Sequence, residues 1–314
     1  NSGGRIILDD TTFKTEAGTP IPYMIISDKA PKGPDEVDED KGVVYVNCNI
    51  HSGEVEGKEA MMIFAREVAQ GKHDDLLKDL VVVIVPNSNP DGNDDLGKNR
   101  IETQFTPKMV GTRTEGNGLN VNRDMTKLET ACGRTIVQLM NDWNPILFID
   151  AHATDGSYMR HAVTYNWGLN AGTDPELLEY NRDVFCSRAL RKGSYLESKD
   201  KVAVPYGNWG YYYSGIVDEG WRTFEDYARY TTNYAGLRNR LALLLEVYSY
   251  DKFPVRVETQ YECIYGALKV VAKDKDEIKE MIAAADARSK DRAKNGIDPE
   301  RDIVALNSEM KIGR

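Results

Sequence analysis

Residues 43–54 read VVYVNCNIHSGE, and the opening of this stretch decides the fold. The run at 43–46 is apolar and mostly β-branched, with no alternation of polar side chains. The runs at 81–85, 146–149 and 241–245 are apolar throughout in the same way. Strands that are covered on both faces, as in mostly parallel sheets, show this pattern. The sequence therefore predicts four buried strands.

Helical patterns separate these runs. Apolar residues recur at helical spacing over 60–68, and similar patterns cover 128–140, 175–190 and 258–291. Strands that alternate with helices are typical of an α/β protein, in which a sheet lies between layers of helices. We therefore expect a central, mixed and mostly parallel sheet that is flanked by helices.

The composition argues against two classes of protein. No apolar stretch approaches the ~20 residues that a membrane-spanning helix needs, so the sequence predicts no membrane span. The chain has 40 basic and 50 acidic residues, a net charge of −10, and no run of Lys and Arg. Nucleic-acid binding would need such a basic patch, and none is predicted.

Polar side chains follow the apolar runs. His51 and Glu54 come after the first run, and Asp150 and His152 end the third. Glu246 ends the fourth run. Because ligands bind at the carboxyl ends of strands in open α/β sheets, we expect these side chains to meet at one edge.

Two histidines and one acid form a candidate metal site. His51 and Glu54 lie three residues apart, and His152 at a strand end is the natural third ligand. Catalytic zinc sites use three such protein ligands and a water. His73 lies in a polar loop and is expected to face solvent, whereas no strand directs His161.

The order of these motifs resembles that of the zinc carboxypeptidase family. The H-x-x-E motif of that family matches His51 and Glu54, and its N-P-D-G turn matches residues 89–92. Its G-[VL]-[DN]-x-N-R segment matches GLNVNR at 118–123. His152 and Glu246 then match the third zinc ligand and the catalytic acid, so the resemblance spans about residues 51 to 246.

The resemblance implies a zinc-carboxypeptidase-like fold and one Zn²⁺. His51, Glu54 and His152 would hold the ion, which would activate a water and polarise the substrate carbonyl. Glu246 would be the general base that takes the proton of this water and returns it to the leaving amine.

The resemblance also implies residues that bind substrate. Arg113 would stabilise the oxyanion of the tetrahedral intermediate, with Arg100 as the rival candidate. Asn122 and Arg123 would bind a terminal carboxylate, for which a guanidinium fork is well shaped.

This chain departs from the family pattern at several positions. Gly53 stands where digestive members have a substrate-binding arginine, and Asn120 stands where an aspartate orients a zinc histidine. Family members also carry a mobile tyrosine over the site, and Tyr227, Tyr230 and Tyr234 are all candidates here.

The stretch at 228–234 is expected to line the specificity pocket. Within it, Arg229 and Tyr234 are predicted to contact substrate. The guanidinium of Arg229 would favour an acidic or otherwise anionic substrate group.

The sequence therefore predicts a metallocarboxypeptidase that hydrolyses the peptide bond next to a C-terminal carboxylate. One alternative keeps the zinc site but acts as an amidohydrolase on acyl-amino acids or cell-wall peptides, and another is a non-catalytic binding module. Residues 1–291 would form the catalytic domain, and the weakly patterned residues 292–314 a tail that leads to a further module. The resemblance implies a periplasmic or secreted location.

Overall fold

The computed structural model describes residues 3–98, 107–154, 158–191, 193–209 and 221–296. The strands are β1 (Ile6–Asp9), β2 (Tyr23–Ile26), β3 (Gly42–Cys48), β4 (Leu80–Val85), β5 (Gly97–Lys98), β6 (Met109–Val110), β7 (Leu147–Ala153), β8 (Val163–Asn166), β9 (Ala203–Pro205), β10 (Asn208–Trp209), β11 (Trp221–Arg222) and β12 (Leu241–Val247). The α-helices are α1 (Glu56–Ala69), α2 (Asp74–Leu77), α3 (Pro90–Asp94), α4 (Ala131–Trp143), α5 (Pro175–Glu179), α6 (Cys186–Leu190), α7 (Thr231–Leu237) and α8 (Phe253–Asn295).

The main sheet has eight strands in the order β1-β2-β4-β3-β7-β12-β8-β9. Its central strands β4, β3, β7 and β12 run parallel to one another. On either side, β2 pairs antiparallel with β4 and β8 pairs antiparallel with β12. The four predicted strands are these central strands, so the predicted mixed and mostly parallel α/β fold is confirmed.

Both faces of the central strands are covered, which explains their continuous apolar sequence. Val44 and Val46 face a core that includes Phe64 of α1 and several residues of α8. Tyr45 faces the opposite core, which also contains Ile136 of α4. Since side chains alternate between the two faces of a strand, each face needs its own apolar layer.

Two helices differ from the sequence pattern. The second predicted helix begins at Ala131 rather than at Leu128, because Leu128 adopts a positive φ of 57°. The side chain of Thr130 then caps α4 by accepting the backbone N–H of Gly133. The third predicted helix consists of α5 and α6, which are joined by the π-helical segment Tyr180–Phe185.

The long amphipathic pattern becomes α8, a helix of 43 residues that continues past position 291. Residues 297–314 lie outside the described residues, and the predicted tail at 292–314 stays a prediction. In the described part of the chain, no helix has the length and hydrophobicity required to cross a bilayer. All four cysteines are buried and carry free thiols.

Candidate active site

The first two candidate ligands lie on the loop that follows β3. Asn49 adopts a φ of 61°, a left-handed conformation that asparagine tolerates, and it turns the chain at the end of the strand. Ser52 Oγ donates to the carbonyl of Asn89 at 2.7 Å. The N-P-D-G segment after β4 thus fixes the loop that carries His51 and Glu54.

The other two predicted residues lie at the carboxyl ends of neighbouring strands. His152 in β7 is paired in register with Glu246 in β12. The strands end one residue later, at Ala153 and Val247. Because β3, β7 and β12 run parallel, all three segments deliver their polar groups to the same edge of the sheet.

The structure brings His51, Glu54 and His152 together. His51 Nδ1 lies 3.0 Å from Glu54 Oε1, and His152 Nδ1 lies 2.7 Å from Glu54 Oε2. Ligand atoms from the three side chains all lie within 4.8 Å of one another, and the three residues are buried. Each imidazole therefore directs the same nitrogen towards one shared carboxylate.

The far nitrogens of both imidazoles contact side-chain oxygens. His51 Nε2 lies 3.2 Å from Asn120 Oδ1, and His152 Nε2 lies 2.9 Å from Asp150 Oδ2. Asp150 is fully buried and accepts a hydrogen bond from Asn47 Nδ2 at 2.9 Å. Such contacts fix the orientation and the tautomer of an imidazole ligand.

The charges in the cluster are unequally distributed. Burial and the nearby Arg113 cation lower the pKa of His51 to about 4, which keeps this imidazole neutral. Although burial opposes the shift, Asp150 and Glu54 raise the pKa of His152 well above its usual value. Burial also opposes ionisation of Glu54, but the two imidazoles hold the pKa of this carboxyl well below its usual range.

These residues fit a zinc ion. Two imidazole nitrogens and a carboxylate oxygen form a donor set found in catalytic zinc sites. Bonds to zinc are only about 2.0–2.2 Å long, so its ligand atoms must lie close together, and here ligand atoms of all three side chains lie within 4.8 Å of one another. Because Asn120 and Asp150 contact the far nitrogens, the near nitrogens are already directed at a common point.

A pocket opens beside this cluster. Glu246 lines it together with His51 and Glu54. The other lining residues are Arg113, Asn122, Arg123, Ala153, Tyr206, Phe224, Tyr230, Thr232 and Leu244. The wall of this pocket combines charged groups with aromatic and aliphatic ones.

The predicted Arg113, Asn122 and Arg123 all reach this pocket. Arg113 Nη1 lies 3.4 Å from Glu54 Oε1, beside the metal cluster. Arg123 Nη1 donates to the carbonyl of Asn122 at 2.7 Å, and its guanidinium stacks 4.2 Å from the ring centre of Tyr230. These contacts fix both side chains at the wall of the pocket.

The pocket contains Tyr230 rather than Tyr234. Tyr230 precedes α7 with extended backbone angles, and its hydroxyl donates to Glu225 Oε2 at 2.5 Å. Tyr234 lies in α7, packs against the core that contains α4, and accepts a hydrogen bond from Arg238 at 3.0 Å. The structure therefore does not bring Tyr234 to the pocket, because α7 directs it towards the protein interior.

Two further arginines were candidates for binding substrate, Arg229 and Arg100. Arg229 is not among the residues that line the pocket, and its guanidinium lies over the rings of Tyr227 and Tyr230 at 5.1 and 5.6 Å. Arg100, the rival of Arg113, lies outside the described residues.

The expectation that His73 faces solvent is wrong. Its ring stacks on Phe64 with a centroid distance of 5.1 Å, and its side chain is only 12% exposed. His73 Nε2 lies 3.0 Å from Glu67 Oε2. This histidine thus joins the loop after α1 to the apolar face of that helix.

The sequence pattern placed Asp150 at the same edge as the candidate ligands but did not predict that it contacts and orients His152. A signal was present, because Asp150 is a charged residue directly after an apolar run, two positions before His152. Residues two apart in a strand share a face, so their side chains were bound to be neighbours.

The comparisons with known proteins agree with this geometry. The sequence model of the zinc carboxypeptidase family matches residues 11–235. A metallo-carboxypeptidase from Burkholderia cenocepacia shares 16% identity and a TM-score of 0.61, over 86% of this chain and 65% of that one. A metallo-carboxypeptidase from Pseudomonas aeruginosa, in complex with (2-guanidinoethylmercapto)succinic acid, shares 17% identity and a TM-score of 0.59 over the same proportions, 86% and 65%.

The chain thus spans 65% of the length of each of these two structures. No curated protein matches it in sequence. At such identities the two structures establish a common fold, whereas the family model matches most of this sequence. Together with the buried cluster of two imidazoles and a carboxylate, this match shows that the chain belongs to the zinc carboxypeptidase family, whose cofactor is zinc.

Proposed function

We propose that this protein is a zinc-dependent carboxypeptidase that releases the residue carrying a free C-terminal carboxylate. One observation supports this function above all others. His51 and Glu54 of the metal cluster, the acid Glu246 and the guanidinium of Arg123 line the same pocket. Hydrolysis at a chain end needs these three elements, namely a metal site, a proton carrier and an anion-binding group.

Each residue of the site has a separate role in the proposed reaction. Bound to His51, Glu54 and His152, a zinc ion would supply a Lewis acid for the scissile carbonyl and lower the pKa of a water. Glu246 accepts the proton of the attacking water and returns it to the leaving amine nitrogen. Its pairing in register with His152 supports this role, since it places the acid beside the cluster.

The arginines bind the two negative charges of the reaction. Arg113, beside Glu54, stabilises the oxyanion that develops on the scissile carbonyl. Arg123 and Asn122 bind the terminal carboxylate of the peptide. Tyr230 positions Arg123 by stacking against its guanidinium.

The test compares the wild-type enzyme with the Glu246→Gln variant, both loaded with zinc. We expect wild type to release C-terminal residues from peptides, and the variant to lose activity by about 10²–10⁴-fold because it lacks the proton carrier. Metal analysis should find one zinc per chain in both proteins. Equal activity of the two proteins would contradict the role of Glu246.

The substrate class is decided by a matched set of compounds analysed by mass spectrometry. We expect cleavage of peptides with a free C-terminal carboxylate and at most weak cleavage of the same peptides with a C-terminal amide, because Arg123 would lose its partner. Hydrolysis of acyl-amino acids or cell-wall peptides alone would identify the protein as an amidohydrolase instead.

We also infer a periplasmic or secreted location from the family resemblance. Cell fractionation of the source organism, followed by immunodetection, tests this. Recovery of the protein only from the cytoplasm would contradict it.

A further inference from the structure

Arg256 is the largest of the fully buried side chains in the described part of the protein, with 1% of its surface exposed. It lies in the first turn of α8, and its Nη2 is 2.7 Å from Oε1 of Glu56, which is also fully buried. Arg256 does not line the active-site pocket. This buried ion pair therefore takes no direct part in the proposed reaction.

The guanidinium connects the ends of two central strands. Arg256 Nη1 donates to the carbonyl of Ser249 at 2.6 Å and to that of Asp251 at 3.2 Å, both in the loop after β12. The backbone N–H of Ser249 donates to Thr154 Oγ1 at 3.1 Å, just after β7. The backbone N–H of Thr154 in turn donates to the carbonyl of Val247 at 2.8 Å.

The carboxylate partner connects the third segment. Glu56 begins α1, and the metal ligand Glu54 lies just before this helix. The start of α1 is pressed against the sheet, because a Cβ atom at Gly57 would lie 2.6 Å from Cβ of Ala151 in β7. A displacement of Glu56 would therefore move Glu54 relative to the strand that carries His152.

The energetics favour a geometric role over a stabilising one. Removing two charges from water offsets most of the attraction between them, so a buried ion pair contributes little to net stability. Its directional contacts nevertheless fix the relative positions of the groups that it joins. Here those groups follow closely on Glu54, His152 and Glu246 in the chain.

We propose that Arg256 is a positioning residue, whose ion pair with Glu56 and hydrogen bonds to the loop after β12 align the metal ligands with Glu246. This inference rests on the proposed function for its catalytic consequence. It also makes a separate claim, that the affinity for metal depends on Arg256.

The experiment compares Arg256→Lys with a double variant, Glu56→Met/Arg256→Met, in which apolar groups of similar size replace the ion pair. Arg240→Lys is the matched control, because Arg240 is also buried and donates to two backbone carbonyls and to Asp286. Arg240 precedes β12 and thus lies at the opposite edge of the sheet. The readouts are zinc affinity by chelator competition, the visible spectrum of the cobalt-substituted protein, kcat and KM, and chemical unfolding.

We expect both Arg256 variants to bind zinc about tenfold more weakly, as is typical when contacts beyond the ligands are lost, and to show an altered cobalt spectrum. Their kcat should fall more than their KM rises. Arg240→Lys should change only the free energy of unfolding. The double variant, which leaves no unpaired charge, should fold and still show the weaker affinity.

Wild-type zinc affinity and an unchanged cobalt spectrum in both Arg256 variants would overturn the proposal and leave Arg256 a purely structural residue. A wild-type protein that binds zinc but cleaves no peptide would overturn the proposed function instead. In that case the metal readouts would still decide the role of Arg256.

Discussion

The two oxygens of Glu54 contact different imidazoles, His51 through Oε1 and His152 through Oε2. Each imidazole is in turn held on its far side, by Asn120 and by Asp150. The two holding groups differ, since Asp150 carries a charge that Asn120 lacks. His152 is therefore the more strongly polarised of the two histidines.

This asymmetry predicts the effect of Asp150→Asn. The substitution removes the negative charge behind His152, and we expect zinc affinity to fall by about 10–100-fold. Chelator competition measures the change. Asp174→Asn is the control, because Asp174 is equally buried but pairs with Arg288 away from the pocket, and it should leave zinc affinity unchanged.

Individual residues show where sequence reasoning succeeds and where it stops. His51, Glu54 and His152 could be selected because each lies at the end of an apolar run, where the topology directs it to one edge. Tyr230 and Tyr234 could not be separated, because the choice depends on where α7 begins. Helix boundaries are set by local capping and tertiary contacts, which residue patterns predict poorly.

At the scale of elements, α1 connects the ligand loop to the sheet. Gly57 allows the close approach of this helix to β7, and a side chain there would meet Ala151 and Cys48. We expect Gly57→Ala to destabilise the fold by about 1–3 kcal/mol through overpacking. Chemical unfolding measures this cost.

The control for this substitution is Gly33→Ala, since no atom outside Gly33 and its two chain neighbours lies within 4 Å of a Cβ at this position. The free energy of unfolding of this variant should match wild type within experimental error. A similar loss of stability in both variants would show that close packing against Ala151 is not the cause.

A second contact joins α1 to α8. Tyr261 donates to Glu67 Oε2 at 2.6 Å, and His73 Nε2 lies 3.0 Å from the same oxygen. Although partial burial opposes it, the hydrogen bonds from Tyr261, His73 and Lys72 lower the pKa of Glu67 to about 2. The carboxylate form thus favours the folded state.

This shift predicts how stability depends on pH. The contribution of Glu67 should be present above its ordinary pKa of 4.5 and be lost as the pH falls towards 2. Glu67→Gln should therefore lower the free energy of unfolding by about 1–2 kcal/mol at pH 7, after allowance for partial exposure, and by almost nothing near pH 2. Chemical unfolding at several pH values checks this, with the exposed Glu59→Gln on the same helix as the control.

The central strands were the most predictable elements, because both of their faces are apolar and one pattern identifies them. The helices were less predictable at their ends. The positive φ of Leu128 and the π-helical segment within 175–190 depend on tertiary packing that leaves no periodic signal.

At the scale of the whole molecule, the metal site joins segments that are far apart in the chain. Glu54 and His152 are separated by 98 positions and contact each other only in the folded state. A metal that binds this arrangement and not the unfolded chain stabilises the fold by mass action. We expect about 4 kcal/mol of added stability when free zinc is a thousandfold above its dissociation constant.

Calorimetry with zinc and with a chelator measures this linkage. The melting temperature of wild type should rise with zinc, whereas a His51→Ala/His152→Ala variant should melt at the same temperature in both conditions. A zinc-dependent rise in this variant would place the bound metal elsewhere.

Burial of the four cysteines determines how the protein responds to thiol reagents and to the redox state of its surroundings. Burial raises the pKa of Cys48, Cys132, Cys186 and Cys263, so each sulfur stays protonated and a poor nucleophile. The native domain should resist alkylating reagents and oxidants, and it should reach the same structure in reducing and in oxidising surroundings. Rapid labelling of these sulfurs would then report transient opening of the whole core.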